Sequence, residues 1–532
     1  MRLNKKLLSI LMLVAFMLVM FAAIAIAADA PVGDPNGGAT GTIANVAAEK
    51  AGEPTLQEIG AQLGKTTIGL NFVWIILSGC LIFFFQAGFA LVETGFTQAK
   101  NAMHTMAMNL MVFLVGTIGF FILGFGLMFG GVGAVSALGG TAPLSGEFAI
   151  AGWGLFGTKA FFLTSGGAYD VGVFALFFFQ MVFMDTTVTI PTGSMAERVK
   201  FSAVVVASFY ISMIAYPIFG NWVWGGGWLA QIGSKLGLGH GAVDFAGSGV
   251  VHAMGGALAL AGGIVLGPRI GKYRKDGTAV AIPGHDIPIA ILGTIILFFG
   301  WFVFNAASTL SGSDLRLAVV ATNTMIAGAV GGFTSMMYMW IRYGKPDPSM
   351  MCNGALAGLV AITAPCAFVT GLSAALIGLV SGVLVCYAVY FVENVLKVDD
   401  PVGAVAVHFV NGSWGLIAVG LFADGTYGDG LNGVKGGVTG LFYGGGFSQL
   451  AAQLIDIGVI VVWGFGVGYL FYKLLDKIMG IRVSAQDEIN GLDLPEMGIL
   501  AYPDFTLNPS HLAGHSAVTK ASVGVEKPTH GA

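Results

Sequence analysis

Charged residues are scarce in this 532-residue chain: Asp, Glu, Lys and Arg make up 10% of it. Globular domains carry about 25%, so the shortage excludes a soluble globular class. The formal net charge of −4 leaves nothing to attract a polyanion, and no nucleic-acid partner is expected. Cysteine is also rare. Cys80, Cys352, Cys366 and Cys386 fall in or beside apolar segments without metal-type spacing, and read as packing residues. No nucleophile, metal cluster or nucleotide loop stands out, so neither an enzyme nor a bound cofactor is implied.

What the chain has instead is apolar length. It is 56% hydrophobic with a mean hydropathy of +0.83, the composition of a polytopic membrane protein. The 82 glycines suit close helix–helix approach in lipid, although some lie in loops, as at 225–227 and 444–446. Residues 1–27 read as a signal peptide, with Arg2, Lys5 and Lys6 before an apolar run and Ala25-Ile26-Ala27 as the cleavage site. An uncleaved anchor is the alternative. Residues 28–70 form a Gly-, Ala-, Pro- and Glu-rich exported segment. Residues 71–475 form the membrane domain and 476–532 a polar cytoplasmic tail, whose His511, His515 and His530 are too scattered for a metal site.

Eleven apolar spans are expected, near 71–94, 103–130, 171–194, 202–223, 249–267, 287–309, 318–341, 353–371, 372–394, 403–422 and 449–474. A helix needs roughly 20 residues to cross the hydrocarbon core. The division between the eighth and ninth rests on Pro365 and Gly371. An N-terminus outside and eleven crossings put the C-terminus inside. Loop charge agrees: Lys100, Arg198, Lys200, Arg269, Lys272, Arg274, Lys275, Arg342, Lys345 and Lys397 fall in the inner loops, against Lys159, Lys235, Arg316 and Lys435 outside.

Two stretches within these spans match without a gap. Residues 244–256 read DFAGSGVVHAMGG and residues 400–412 read DPVGAVAVHFVNG, pairing Asp244 with Asp400, Gly247 with Gly403, His252 with His408 and Gly256 with Gly412. Each histidine follows its aspartate by eight residues, about 12 Å along a helix. They lie in spans five and ten. Five spans per half is odd, so the halves run in opposite directions. The expected fold is therefore all-α and polytopic, a 5+5 inverted repeat plus a final helix, with both imidazoles descending to the midplane.

Two imidazoles inside a membrane need a functional account. Each offers one donor and one acceptor, and a facing pair can share a proton. A helix–helix hydrogen bond or a metal site is the bland alternative, but no third ligand accompanies them. Phe179, Gln180 and Phe183 fall on neighbouring turns of span three; Trp222 and Trp224 close span four; Ser308 ends span six. Such a stripe is more often a lipid-facing belt. Aromatic faces, a hydroxyl and buried imidazoles together suit a small cation that must lose water and a proton. Asp185 is a carboxylate inside span three that either pairs with Thr186 or Thr187 or faces a vestibule. Glu93 is expected to cap or pack, and Glu197 and Arg198 to form a surface ion pair.

From about residue 70 to 504 the chain resembles ammonium transporters of the Amt/Mep/Rh superfamily, in its bacterial Amt branch. The resemblance is carried most specifically by DFAGSGVVHAMGGALALAGGIVLGPR at 244–269. QAGFALVETGFTQAKN at 86–101, AERVKFSA at 196–203, WVWGGGWL at 222–229, GWFVFNAAS at 300–308 and DDPVGAVAVH at 399–408 support it. It implies transport of ammonium or ammonia across the inner (cytoplasmic) cell membrane, with methylammonium as an analogue. It also implies a twin-histidine pore at His252 and His408. Ammonium recruitment falls on Trp224, Phe183 and Ser308, supported by Asp244, and a phenylalanine gate on Phe183 and Phe304. Gln180 and Asp185 would be additional pathway residues, Asp185 standing where many relatives carry a small neutral residue. A homotrimer with one pore per protomer is implied, and a cytoplasmic PII-type partner for the tail at 480–493. An ammonium sensor and an Rh-like neutral gas channel are the competing readings. On this reading Asp244 recruits cations outside, whereas Asp400 caps a helix or shapes the exit.

Overall fold

In the computed structural model, residues 56–503 are described, except 134 and 140–143. The expected signal peptide, residues 28–55 of the exported segment and the tail beyond 503 lie outside them.

The described chain is overwhelmingly helical. Its long helices are α1 (Leu56–Phe96), α2 (Ala99–Phe129), α3 (Val171–Met195), α4 (Phe201–Val223, closed by the short outer helix α5, Trp228–Leu236), α6 (Ser248–Leu266), α7 (Ile287–Thr309), α8 (Leu317–Tyr343), α9 (Pro348–Ile362), α10 (Gly371–Val395), α11 (Val405–Phe422) and α12 (Ser448–Met479). Ten of these segments are long and apolar enough to cross a membrane, the run from α4 through α5 counting as one. The expected eighth span is instead the 15-residue α9. Cys366 and Phe368 donate their amides to Ile362 and Pro365 carbonyls in a turn, and a new helix starts at Gly371. α9 is largely buried among its neighbours, so it needs less apolar length than a lipid-facing helix. α1 begins at Leu56, upstream of the expected boundary at 71. One departure from all-α is a small antiparallel hairpin, β1 (Glu147–Ile150) with β2 (Trp153–Gly157), in the loop between α2 and α3.

Local sequence sets the helix starts. Asp170 accepts the amides of Gly172 and Val173 ahead of α3, and Asp347 accepts those of Ser349 and Met350 ahead of α9. Each satisfies donors that a helix N-terminus leaves open. The two occupy equivalent places in the halves.

The matched stretches explain themselves at α6 and α11. Gly247 and Gly403 both have positive φ, +109° and +80°, a conformation that favours glycine. Each lets the chain turn so that the preceding aspartate reaches the new helix's amides. Gly256 and Gly412 hold the helices together. A Cβ on Gly256 would lie 2.3 Å from the Phe409 nitrogen, and one on Gly412 would lie 2.4 Å from the Ser248 oxygen. α6 and α11 therefore pack backbone to backbone, as do the equivalent first helices α1 and α7 at Gly88 and Gly293.

At the end of the molecule that carries the basic loops, the polar segment after α12 binds the helix termini. Asp493 accepts the amide of His104 in α2, and Glu496 that of Phe201 in α4. Lys100 donates to the Glu488 and Ile489 carbonyls at 2.8 Å. Arg198, expected at the surface with Glu197, is fully buried. It donates to the carbonyls of Ala196, Gly267 and Asp399, while Glu197 pairs with Arg269. Three carbonyl acceptors from separate segments make Arg198 a buried tie rather than half of a surface pair.

Candidate conduction pathway

Each of the two matched histidines sits in a widened, π-helical first turn, Ser248–Ala253 in α6 and Val405–Val410 in α11. Such turns are frequent at functional sites because they re-aim a side chain. Asp244 starts the first: Oδ1 accepts the amides of Gly247 and Ser248, and Oδ2 those of Gly249 and Val250, all within 2.9 Å. Asp400 starts the second, accepting the amides of Ala404 and Val405 at 3.0 and 2.8 Å. The two acids are thus alike in doing the same backbone work. The sequence-based contrast between a recruiting Asp244 and a capping Asp400 does not appear in their hydrogen bonds.

The result is a pair of buried imidazoles whose Nδ1 atoms are 3.2 Å apart, with rings inclined by 23°. One Nδ1 must carry the proton and the other accept it. His252 is 0% exposed and its Nε2 meets no partner among the described residues.

Aromatic rings lead to the pair from one side. Trp224 stands edge-to-face with Phe183, their centroids 6.0 Å apart, and Phe183 stacks on Phe304 at 4.0 Å and 24°. Phe304 in turn lies 5.8 Å from the His252 ring. Two contacts pin the outer group. Trp224 Nε1 donates to the Asp244 carbonyl at 2.7 Å, and Ser308 Oγ donates to the Phe304 carbonyl at 3.0 Å. With its proton so used, the Ser308 oxygen keeps lone pairs for an incoming donor. Trp224, Ser308 and Phe245 line a cavity with Asp244, and the same three line an adjoining one with Phe183 and Gln180. An indole face, a phenyl face and a hydroxyl oxygen thus bound one space, with a closed stack of two rings below it.

A family model described as the Ammonium Transporter Family matches residues 73–502. Ammonium transporter Amt2 of Archaeoglobus fulgidus is 47% identical over 474 residues, covering 88% of this chain and 95% of that protein. The chain belongs to the Ammonium Transporter Family. Ammonium transporter 1 member 3 of Solanum lycopersicum is 34% identical, over 82% of this chain and 94% of its own. Among solved structures, a protein titled Sensor Amt Protein matches with a TM-score of 0.70 at 37% identity, over 81% of this chain and 99% of its own. Candida albicans Mep2 matches with a TM-score of 0.67 at 29% identity, over 82% and 92%. This chain is accordingly a multi-pass membrane protein whose activity is ammonium transport.

Within this transporter, several aromatic residues packed around the stack and the histidines were not singled out by the sequence. Phe85 of α1 stacks on the far face of Phe304 at 5.0 Å and 4°. Trp301 stacks on His252 at 5.0 Å and donates Nε1 to Thr363 Oγ1. Phe89 approaches His408 at 6.0 Å. Phe85 and Phe89 sit in a run of phenylalanines with nothing to mark them from lipid-facing neighbours; only the neighbouring helices single them out.

Asp185 is placed apart from the Phe183–Phe304 stack. It is two residues from Phe183, about 200° around the helix. Thr186 and Thr187 spend their hydroxyls on the Val182 and Phe183 carbonyls, so neither pairs with it. Its Oδ1 is buried without a partner among the described residues, as is Oε1 of Gln180. Glu93, expected to cap or pack, lines a small cavity together with His408. Beyond it lies a larger cavity, at the end that carries the basic loops, bounded by Asn353, Val402, Asp400, Arg269 and Lys272.

Proposed function

We propose that ammonium is captured at the outer aromatic site, gives up its proton at the Phe183–Phe304 stack, and crosses as ammonia past His252 and His408. The proton follows through the imidazole pair, which makes transport electrogenic. The observation carrying this reading is the 3.2 Å contact between two buried ring nitrogens directly behind a closed phenyl stack. A bare monovalent ion at midplane costs several kcal/mol or more, and the lining on the approach consists of ring faces that cannot replace a hydration shell. Ammonia carries no such penalty. Two imidazoles sharing a hydrogen bond can accept a proton on one side and release it on the other.

In the capture step, ammonium lies between the Trp224 and Phe183 faces and donates to Ser308 Oγ. Asp244 contributes by fixing the α6 start and holding Trp224 through its carbonyl, with its charge adding to the local field. Gln180 is the further candidate at this site, because its buried Oε1 has no hydrogen-bond partner among the described residues. Trp224→Leu removes a cation–π contact of roughly 0.5–2 kcal/mol. The half-saturating ammonium concentration should therefore rise about 2- to 30-fold, measured as concentration-dependent current from reconstituted protein, with a smaller change in maximal rate. A lowered maximum at unchanged half-saturation would count against the capture site.

The test of electrogenicity is current on solid-supported membranes driven by ammonium and then methylammonium. Uptake without charge movement would favour the neutral gas channel. For the finer architecture the reading is eleven crossings, counting α9 as a short buried one, with the N-terminus out and the C-terminus in, in the inner membrane. The clustering of basic residues with the segment after α12 supports it. A homotrimer and a PII-type partner at 480–493 complete the proposal. Native mass spectrometry and pull-down with such a partner test them.

A further inference from the structure

We infer that Glu93 is the proton acceptor on the inner side of the histidine pair, taking the proton from His408 and passing it to the inner cavity. The inference rests on the electrogenic relay proposed above. His408 and Glu93 line one small cavity, otherwise bounded by apolar side chains and Asn353. Its volume is about 20 Å³, room for a single water. Asn353 and Val402 line both this cavity and the larger inner one, so a proton leaving His408 inward meets Glu93 before open space. Of the residues lining the small cavity, His408 and Glu93 are the two that titrate; Asp400 lines the cavity beyond.

The carboxylate is held for the task. Thr192 Oγ1 lies 2.9 and 3.0 Å from Oε1 and Oε2 and 2.6 Å from the Thr189 carbonyl, sharing its one proton among them, and Asn109 Nδ2 donates to Oε2 at 2.9 Å. A carboxylate has about four acceptor positions. These contacts, two of them from one hydroxyl, leave room for a water on the cavity side. The step balances simply. The imidazolium N–H of His408 gives its proton to the water oxygen, and a water proton passes to a Glu93 oxygen. The imidazole is left neutral, the water unchanged and the carboxyl protonated. The acid then releases its proton to the inner cavity, where ammonia recovers it.

The competing explanation is a purely structural acid that ties α1 to α2 and α3 through Asn109 and Thr192. The two differ in the charge moved per ammonium taken up, measured on the same proteoliposomes by current and by tracer uptake. A structural acid changes uptake and current together and leaves their ratio alone. For Glu93→Gln, which keeps the shape, the ratio should fall about tenfold or more, and Glu93→Asp should restore part of it. Thr192→Val, which keeps the carboxylate and removes its hydroxyl donor, should lower the ratio less. This second variant serves if Glu93→Gln does not assemble. An unchanged ratio in Glu93→Gln, or in Thr192→Val if that is the one that assembles, overturns the assignment. Uptake without current in the unmodified protein overturns the relay itself, and Glu93's part with it.

Discussion

Replacing His408 by alanine is expected to lower ammonium-driven current by about 100-fold or more, the range in which a positioned proton-transfer group contributes. His252→Ala should do the same. On this reading the two imidazoles act as one unit: among the described residues, each is the other's hydrogen-bond partner at Nδ1. Removing either leaves a lone, buried imidazole facing an apolar wall, and the proton has no neighbour to move to. The double variant should therefore cost about as much as either single one, since residues that act together are not additive. Alanine also widens the path between Phe304 and Phe89. Neutral ammonia should still cross, and exclusion of other small cations should weaken. Current and selectivity measured on reconstituted protein check both parts. Transport and selectivity left intact by either substitution would end the relay reading.

Why the pair was visible in the sequence is clear from α6 and α11. Four matched positions each have a physical duty that constrains residue type. The aspartate accepts helix amides, the first glycine holds a positive φ, the histidine meets its partner and the second glycine admits the other backbone. Such duties leave a mark at fixed spacing. Phe85 and Trp301 have duties too, stacking on Phe304 and His252, but any large aromatic in an apolar helix reads alike until its neighbours are known. Glu93 shows the same limit: its place at the end of the first span was legible, but not that His408 would share its cavity. The length of α9 was obscured because Thr363–Thr370 is as apolar as a helix while folding as a turn. Glu197 and Arg198 looked like an exposed pair because adjacency in sequence suggested it. The structure turns them to different partners.

Those partners form the buried ionic cluster at the inner end, and Asp399→Ala should be the most destabilising single change there. Arg269 donates Nε and Nη2 to the two oxygens of Asp399 at 2.8 and 2.9 Å, and its backbone amide adds a third contact. Asp399 is 1% exposed and also faces Lys272 at 4.0 Å. Alanine would leave three buried cations, Arg198, Arg269 and Lys272, facing two carboxylates, Glu197 and Glu393, in place of three. Breaking such a pair costs about 3–5 kcal/mol, and the unfolding midpoint in detergent should drop accordingly. Asp399→Ala joined to Arg269→Met should recover part of the loss, because it removes one charge of each sign and restores the balance, although Glu197 then loses its Arg269 partner. A double variant no better than the single one would mean that the geometry, not the charge balance, holds this end together. The pH dependence has a definite sign. Burial pushes the Asp399 carboxyl up, but the Arg269 hydrogen bonds and the charges of Arg198 and Arg269 outweigh it and hold it at about 2, below its ordinary 3.8. The folded state therefore gains from this group fully above about pH 4, and loses that gain as pH falls through about 2. Between pH 5 and 8 the difference between the native protein and Asp399→Ala should stay nearly constant, and it should shrink only in acid. A change between pH 5 and 8 larger than the neighbouring Asp400 accounts for, whose carboxyl burial chiefly and the Asp399 charge in part push up to about 6, would mean that another group carries the cluster's stability.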